Sequence, residues 1–423
     1  MDFRVLPSGN LTLTNLTAPG CLCGDDTDLS TISLGIRDGM LCAPAADLPA
    51  VDMRGAMVFP AFVDMHTHLD KGHIWRRAPN PDGTFDGALA AVEADRTANW
   101  SGSDIRARMD FALRCAWAHG TRAIRTHLDS IGPQAAISFP EFTRLRDEWA
   151  GRIELQAACL TLIDRIDPDG GGEFADLADL VAQSRGVLGC VTFPDARLRD
   201  RLRAFFDHAG RRGLETDFHS DETGDPDSAS LRVIAETVLE TGFDAPVTVG
   251  HCCSLAMQPD AEWQHTLDLV ARAGINIVSL PMCNLYLQDR MGGRTPRWRG
   301  VTLVHEMAAR GINVSFASDN TRDPFYAYGD LDMIEVMREA TRIAHLDHSR
   351  TDWTNAFLTN PARACGFDAP GLVPGAPADM VICRARDWTE LFARPQSDRI
   401  VLRAGRQIDR SLPDYAELDH LMR

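Results

Sequence analysis

Between about residue 56 and residue 320, one pattern of polar and apolar positions recurs along the chain. An amphipathic stretch ends at a glycine, and a short apolar run follows it. A glycine just past a helix readily takes the left-handed conformation that ends the helix, and a short apolar run is typical of a buried strand. The pattern predicts eight strands, over Ala56–Asp64, Thr121–Thr126, Arg152–Leu160, Val187–Thr192, Leu214–Phe218, Pro246–Gly250, Ile275–Leu280 and Ile312–Ala317.

Strands that alternate with helices in this way predict an α/β fold, a (β/α)8 TIM barrel whose reactive groups lie at the carboxyl ends of the strands. The two ends of the chain differ from this pattern, because their short alternating segments, such as Leu11–Thr14 and Ile400–Arg403, are broken by Gly, Pro and Asp. We therefore expect residues 1–55 and 371–423 to form together one small β-sandwich domain. Residues 56–370 are expected to form the catalytic barrel.

Composition and charge restrict the class of partner. The 423 residues include 43 Lys plus Arg against 60 Asp plus Glu, which gives a formal charge of −17, and no basic stretch is concentrated in one place. An acidic surface repels phosphate groups, so we expect neither nucleic acid nor a membrane as a partner. The segment Met1–Arg4 lacks the pattern of a secretory signal, which predicts a cytoplasmic protein. Eleven cysteines without a repeated spacing are expected to be mostly buried thiols.

Imidazole and carboxylate groups cluster at the ends of the predicted strands. His66 and His68 follow the first strand, and since strand side chains alternate, both project to the same side, about 7 Å apart along the chain. His219, His251 and Asp319 end three further strands. Two or three imidazoles with a carboxylate suit one Zn²⁺ or Fe²⁺ that keeps an open position for water.

Such a cation lowers the pKa of bound water from 15.7 to about 7 and so supplies hydroxide at neutral pH. A hydrolase of this kind also needs a group that carries protons. Glu222 lies three residues beyond His219 and is placed to reach over the same site. The alternative is that Glu222 is a solvated loop carboxylate beside Asp221 and Asp225.

Five ordered motifs over residues 56–340 resemble the cytosine deaminase-like branch of the amidohydrolase superfamily. They are His66–Asp70, His219–Glu222, Gly250–His251, Asn284–Arg290 and Ser318–Phe325. The resemblance implies that His66, His68, His219 and Asp319 hold one divalent metal. It further implies that Glu222 protonates a ring nitrogen, that His251 and Asp319 orient and deprotonate the attacking water, and that ammonia or an amine leaves.

The same resemblance bears on the metal count and the substrate. Relatives with two metals often carry a carboxylated lysine on the fourth strand, whereas the only lysine here is Lys71, which favours one metal. Lys71 is expected to hold a substrate carbonyl or carboxylate, the alternative being a solvated loop lysine. Leu162 stands near the position of a glutamine in cytosine enzymes, Asn320 replaces a second aspartate, and Phe325 replaces an indole. These departures weaken the case for cytosine, while the pair Asp70–Lys71 is similar to N-substituted amino-triazine amidohydrolases.

The sequence thus predicts a metal-dependent hydrolytic deaminase of a small nitrogen heterocycle, in which metal-bound hydroxide attacks an amidine-type ring carbon. One alternative is an amidohydrolase that opens a cyclic amide (lactam) or acts on an N-alkylamino-triazine. An alternative of another class is a ligand-binding barrel without turnover, which would need a broken set of polar site residues. The expected partner is a small heterocyclic molecule, and the number of subunits is open, a homo-oligomer included.

Overall fold

The structure is a computed structural model that describes residues 5–169, 171–349 and 351–422. The segment Met1–Arg4, on which the prediction about a secretory signal rests, lies outside these residues. No helix among the described residues is both long and apolar enough to cross a lipid bilayer.

Five strands lie in the amino-terminal part of the chain: β1 Leu11–Pro19, β2 Leu29–Arg37, β3 Met40–Cys42, β4 Ala50–Asp52 and β5 Met57–Pro60. Eight parallel strands follow: β6 Phe62–Thr67, β7 Thr121–Asp129, β8 Glu154–Leu162, β9 Leu188–Thr192, β10 Thr216–Ser220, β11 Val247–His251, β12 Asn276–Ser279 and β13 Val314–Phe316. Each of these eight pairs with the next in sequence. The ring closes where the Asp319 amide donates to the His66 carbonyl at 2.9 Å. The predicted (β/α)8 barrel is confirmed.

Helices alternate with the barrel strands and continue after them toward the end of the chain. They are α1 Phe85–Asn99, α2 Gly102–His119, α3 Gln134–Glu148, α4 Glu173–Gln183, α5 Leu198–Arg212, α6 Ser230–Thr241, α7 Asp260–Ala273, α8 Pro281–Leu287, α9 Val304–Ala308, α10 Met333–Ala344, α11 Thr359–Cys365 and α12 Trp388–Ala393. Short 3₁₀ helices span Gly20–Leu22, Ile163–Arg165, Cys253–Met257, Trp353–Phe357 and Tyr415–Leu421. Gly213 ends α5 with φ 61°, as the glycine pattern predicts.

The main core lies between helices and barrel strands. Phe205 and Phe206 of α5 pack on Phe218 of β10 with ring centroids 4.8 and 5.8 Å apart. Burying these rings stabilises the outer layer and leaves the strand ends free to carry polar groups. All eleven cysteines are free thiols and eight of them are buried, as expected.

The second sheet is built from both chain ends, as predicted. Strands β14 Met380–Cys383, β15 Ile400–Arg403 and β16 Arg406–Gln407 join β1 to β5 in the order β16-β15-β14-β5-β1-β2-β3, with β4 beside β1. Val381 of this sheet lies so close to Gly120 that a Cβ at Gly120 would be 2.3 Å from it. The sheet therefore packs directly under the start of β7.

One strand prediction was wrong. The sequence indicated a single first strand over Ala56–Asp64, but β5 pairs with β14 in the small sheet and β6 opens the barrel. Both strands are buried along their whole length, so the apolar run shows no break where the chain passes from one sheet to the other.

Candidate active site

Four predicted metal ligands converge at the carboxyl end of the barrel. The Nε2 atom of His219 lies 3.1 Å from Nε2 of His66 and 3.2 Å from Nε2 of His68. Oδ1 of Asp319 lies 3.3 Å from Nε2 of His68 and 3.6 Å from Nε2 of His66. All four side chains are buried. Groups that stand far apart in the chain thus face one point.

These distances fit one four-coordinate cation. Bonds of 2.0–2.1 Å in a tetrahedron place neighbouring ligand atoms about 3.4 Å apart, close to the spacing found here. Both carboxylate oxygens of Asp319 are buried without a hydrogen-bond partner among the described residues. A buried carboxylate without a partner is costly, and a cation would satisfy it. The cluster is therefore able to hold a metal ion.

Burial sets the protonation of these ligands. It lowers the pKa of His66, His68 and His219 well below the ordinary 6.5, and neighbouring cationic groups lower it further. Burial raises the pKa of Asp319 to about 7. Neutral imidazoles present lone pairs to a metal, and a bound cation would hold the carboxylate in its charged form.

Backbone geometry determines the direction in which His66, His68, Asp319 and His251 project. His66 and His68 alternate on β6 and so project together into the barrel. Asp319 and His251 stand at strand ends with φ 63° and 69°, a region that such residues seldom occupy. Strain of this kind persists only where the surroundings fix it, and it is common at functional sites.

Glu222 and His251 meet through Asn284 of α8. The Asn284 Nδ2 group lies 3.0 Å from Oε1 of Glu222 and 3.0 Å from Nδ1 of His251. Gln288 donates to the backbone carbonyl of Glu222 at 2.9 Å, and Asp221 ties the same loop to the start of α6 through the Leu231 amide at 2.9 Å. Glu222 is therefore held over the site, and the reading of it as a solvated loop carboxylate is not what the structure shows.

Burial shifts the pKa of Glu222 and the pKa of His251 in opposite directions, because it disfavours the charged form of each group. Burial raises the pKa of Glu222 well above 4.5, with repulsion from Asp319 adding to it, and burial lowers the pKa of His251 to about 3. Burial thus favours the uncharged form of both groups that face the candidate metal site.

Lys71 is buried beside the site rather than solvated. Its Nζ atom lies 3.1 Å from Oδ1 of Asp129 and 4.9 Å from the centre of the Phe325 ring. Phe325 in turn contacts Phe85, with ring centroids 5.5 Å apart. The alternative, a lysine exposed to solvent in a loop, is therefore wrong, because the side chain is buried.

The other predicted substrate contacts follow β13 or lie at the end of β8. Asn320 donates to Oδ2 of Asp323 at 2.8 Å, and Asp323 accepts from the Phe325 amide at 2.8 Å, so Asn320 and Phe325 share one turn. Leu162 is the last residue of β8 and is half-buried. The structure brings Lys71, Asn320 and Phe325 together, and Leu162 as a substrate contact stays a prediction.

The comparisons with known proteins point to one family. A model of the amidohydrolase family matches residues 164–409. The chain is 52% identical over 417 residues to a pterin deaminase of Rhizobium rhizogenes, covering 97% of this chain and 95% of that one. This chain belongs to the amidohydrolase family. That membership confirms the prediction of a hydrolase acting on C–N bonds other than peptide bonds.

Two more distant family members share most of the chain's length. A 5-methylcytosine deaminase of Klebsiella pneumoniae, solved with 5-fluorocytosine, is 25% identical and superposes with a TM-score of 0.79, covering 96% of this chain and 98% of that one. An N-isopropylammelide isopropyl amidohydrolase of a Pseudomonas species is 24% identical over 353 residues, covering 78% of this chain and 81% of that one. Together with the pterin deaminase, these relatives support the predicted hydrolytic deaminase of a nitrogen heterocycle.

Sequence reasoning missed several residues of this amidohydrolase site. His127 and Asp129 lie on β7, which runs three residues beyond the predicted Thr121–Thr126, because polar residues at a strand end interrupt the apolar run. Extending that strand by its alternation would have found them. Asp323 and Asn284 were both part of recognised motifs, Ser318–Phe325 and Asn284–Arg290, without an assigned role.

Proposed function

We propose that this protein is a metal-dependent deaminase that hydrolyses the exocyclic amino group of a pterin or a closely related amino-heterocycle. The observation that carries the substrate is the 52% identity to a pterin deaminase along almost the whole of both chains. The convergence of His66, His68, His219 and Asp319 supports the reaction type, because that donor set suits a catalytic cation with an open position.

In this proposal one divalent ion, Zn²⁺ or Fe²⁺, is held by His66, His68, His219 and Asp319. The ion would act as a Lewis acid and would lower the pKa of a coordinated water to about 7. The remaining steps depend on side chains of the chain itself.

Glu222 is the proton donor to the substrate. Burial raises its pKa and so favours the protonated carboxyl group, which can hold a proton at a ring nitrogen beside the amino-bearing carbon. A proton there makes the carbon more electrophilic. Asn284 keeps Oε1 of Glu222 in place with its amide N–H.

His251 and Asp319 handle the water. Since Nδ1 of His251 accepts from Asn284, the neutral ring carries its hydrogen on Nε2, which is buried without a partner among the described residues. His251 then orients the attacking oxygen by donating to it. Asp319 would accept one proton of the water and pass it to the leaving amine. The second proton would pass from the new hydroxyl group to Glu222, so the ring nitrogen keeps the proton that Glu222 gave, the carbon keeps a carbonyl oxygen and ammonia departs.

The alternatives differ in product. A lactam hydrolase would form a carboxylate and release no ammonia, and an amino-triazine amidohydrolase, which the Pseudomonas relative makes the second candidate, would release an alkylamine. A binding barrel without turnover requires a broken set of polar groups, and the short distances that join the six polar side chains support a catalyst instead. Cytoplasmic location is proposed from the sequence alone and is tested by cell fractionation.

The test is a substrate panel with purified, metal-loaded protein. Pterin, 5-methylcytosine, N-isopropylammelide and a cyclic amide are incubated separately, and ammonia, isopropylamine and new carboxylate are measured. We expect ammonia from pterin at the highest kcat/KM. Isopropylamine or carboxylate as the main product would overturn the proposal.

A pair of variants separates catalyst from binder. Glu222→Gln should lower kcat by about 10²–10⁴-fold and keep the metal content, because only the proton donor is lost. Asp227→Asn changes an exposed carboxylate of the same loop and should leave the rate unchanged.

A further inference from the structure

His127 is a fifth buried imidazole at the candidate metal site, beside His66, His68, His219 and His251, and the proposed mechanism does not use it. Its side chain is fully buried. The ring centroid lies 4.1 Å from that of His66, 4.7 Å from His219 and 5.5 Å from His68. His127 therefore contacts the ligand set directly and lies closest to His66.

A buried charge pair lies beside His127, at a distance from the ring that makes no hydrogen bond of good geometry. Nε2 of His127 lies 3.2 Å from Oδ1 of Asp217, whose Oδ2 accepts from Arg125 at 3.1 Å. Arg125 and His127 are two residues apart on β7, as Asp217 and His219 are on β10. Because strand side chains alternate, the members of each pair project to the same side, with Arg125 and Asp217 one step before the two histidines. All three groups of this column are fully buried.

The imidazole ligands lack the usual device for fixing their orientation. A metal-binding histidine generally donates its other ring N–H to a carboxylate or carbonyl. Within the described part of the chain, Nδ1 of His66, of His68 and of His219 has no hydrogen-bond partner. The direction in which each Nε2 points must then depend on packing.

His66 is packed tightly by two residues. The His127 ring lies against it, tilted by 40°. On β11, a Cβ added to Gly250 would lie 3.0 Å from Cε1 of His66, which is closer than side chains normally approach. His66 therefore has little room to rotate while both neighbours are in place.

We propose that His127 is a positioning residue, whose fully buried ring, packed against His66 and beside the Asp217–Arg125 pair, fixes the orientation of His66 toward the metal. The proposal rests on the proposed metal site. His127 is assigned no bond to the ion, because its Nε2 lies 3.2 Å from Oδ1 of Asp217. Distances of 3.1–3.6 Å join Nε2 of His219, and Oδ1 of Asp319, to the rings of His66 and His68.

The test measures metal binding rather than turnover. Metal is removed with a chelator, Zn²⁺ is titrated back in competition with a chromogenic chelator, and the visible spectrum of the Co²⁺ form is recorded. His127→Ala is compared with His127→Phe, which keeps a ring against His66. The matched control is His208→Ala, which removes a buried imidazole that packs on Phe174 in the outer helical layer.

We expect His127→Ala to bind Zn²⁺ about 10–100-fold more weakly, with one site retained and an altered Co²⁺ spectrum. His127→Phe should recover most of the affinity, and His208→Ala should bind as the wild type does. Unchanged affinity and spectrum in His127→Ala, equal loss in His127→Phe, or complete loss of the site would overturn the inference. Wild-type protein that binds no ion would instead overturn the proposed metal site.

Discussion

The Nε2 atoms of His66 and His219 lie 3.1 Å apart at the mouth of the barrel, although 153 positions separate the two residues in the chain. Two imidazole nitrogens at this distance repel each other if both are protonated. Burial keeps the pKa of both rings low, so their lone pairs face each other across a point that a cation would occupy. The two rings therefore form a site that binding of a cation would stabilise.

Removal of the metal should destabilise the protein. An ion that binds only the folded state adds about 4 kcal/mol to the free energy of unfolding at a concentration 1,000 times its Kd. Calorimetry with and without chelator should show a lower Tm for the stripped protein, restored by Zn²⁺ or Fe²⁺. Asp319→Asn, which weakens one ligand, should respond less to added metal, and equal Tm values in all samples would contradict the assignment.

The activity should fall as the pH rises through the pKa of Glu222, because the reaction needs the protonated carboxyl group. The Asn284 hydrogen bond lowers that pKa, so Asn284→Ala should move the alkaline limb of the kcat profile to higher pH and lower kcat. The matched control is Gln288→Ala, which removes an amide that binds only the backbone carbonyl of Glu222. An equal shift in both variants would mean that α8 changes the pKa of Glu222 by positioning its loop, and not through the Asn284 hydrogen bond.

Lys71→Gln should raise KM for the substrate. The change removes a buried charge whose hydrogen bond to a substrate carbonyl would contribute about 1.5–3 kcal/mol, which corresponds to roughly 10–100-fold in kcat/KM. Arg96 binds the other oxygen of Asp129 at 2.9 Å, so Arg96→Gln disturbs the same carboxylate from the helix side. Steady-state kinetics should show a large KM effect only for Lys71→Gln, and equal KM values for the two variants would make Lys71 structural.

Much of the barrel and its chemistry followed from local pattern. Glycines that end helices mark where strands begin, and the alternation of His66 and His68 already places both on one face. Sequence could not separate β5 from β6, because both are buried throughout. It also did not show that Arg125, Asp217 and His127 form one column, since Arg125 and Asp217 lie on different predicted strands and their contact exists only once those strands are assembled.

The pair Asp332 and Arg399 should make stability depend on pH. Asp332 begins α10 and accepts from both terminal nitrogens of Arg399, at 2.6 and 2.5 Å. Arg399 contributes to holding the pKa of Asp332 well below 3.8, so the stabilisation is complete above about pH 4 and is lost as the pH falls toward the folded-state value.

Asp332→Asn should cost about 3–5 kcal/mol in the free energy of unfolding, because it leaves Arg399 buried without its partner. Denaturant titrations at several pH values should also show a flatter acid limb in this variant. Asp47→Asn breaks an exposed pair with Arg37 and should change little. An acid limb that is the same in Asp332→Asn and the wild type would contradict the assignment.

Isotope labelling of the product tests the central claim most directly. Metal-loaded protein is incubated with pterin in water enriched in ¹⁸O, and the product is analysed by mass spectrometry together with released ammonia. Hydrolytic deamination predicts a product that has exchanged its amino group for a single labelled oxygen, with one ammonia released for each molecule converted. A product that has gained a whole water molecule and kept all its nitrogen would contradict the account.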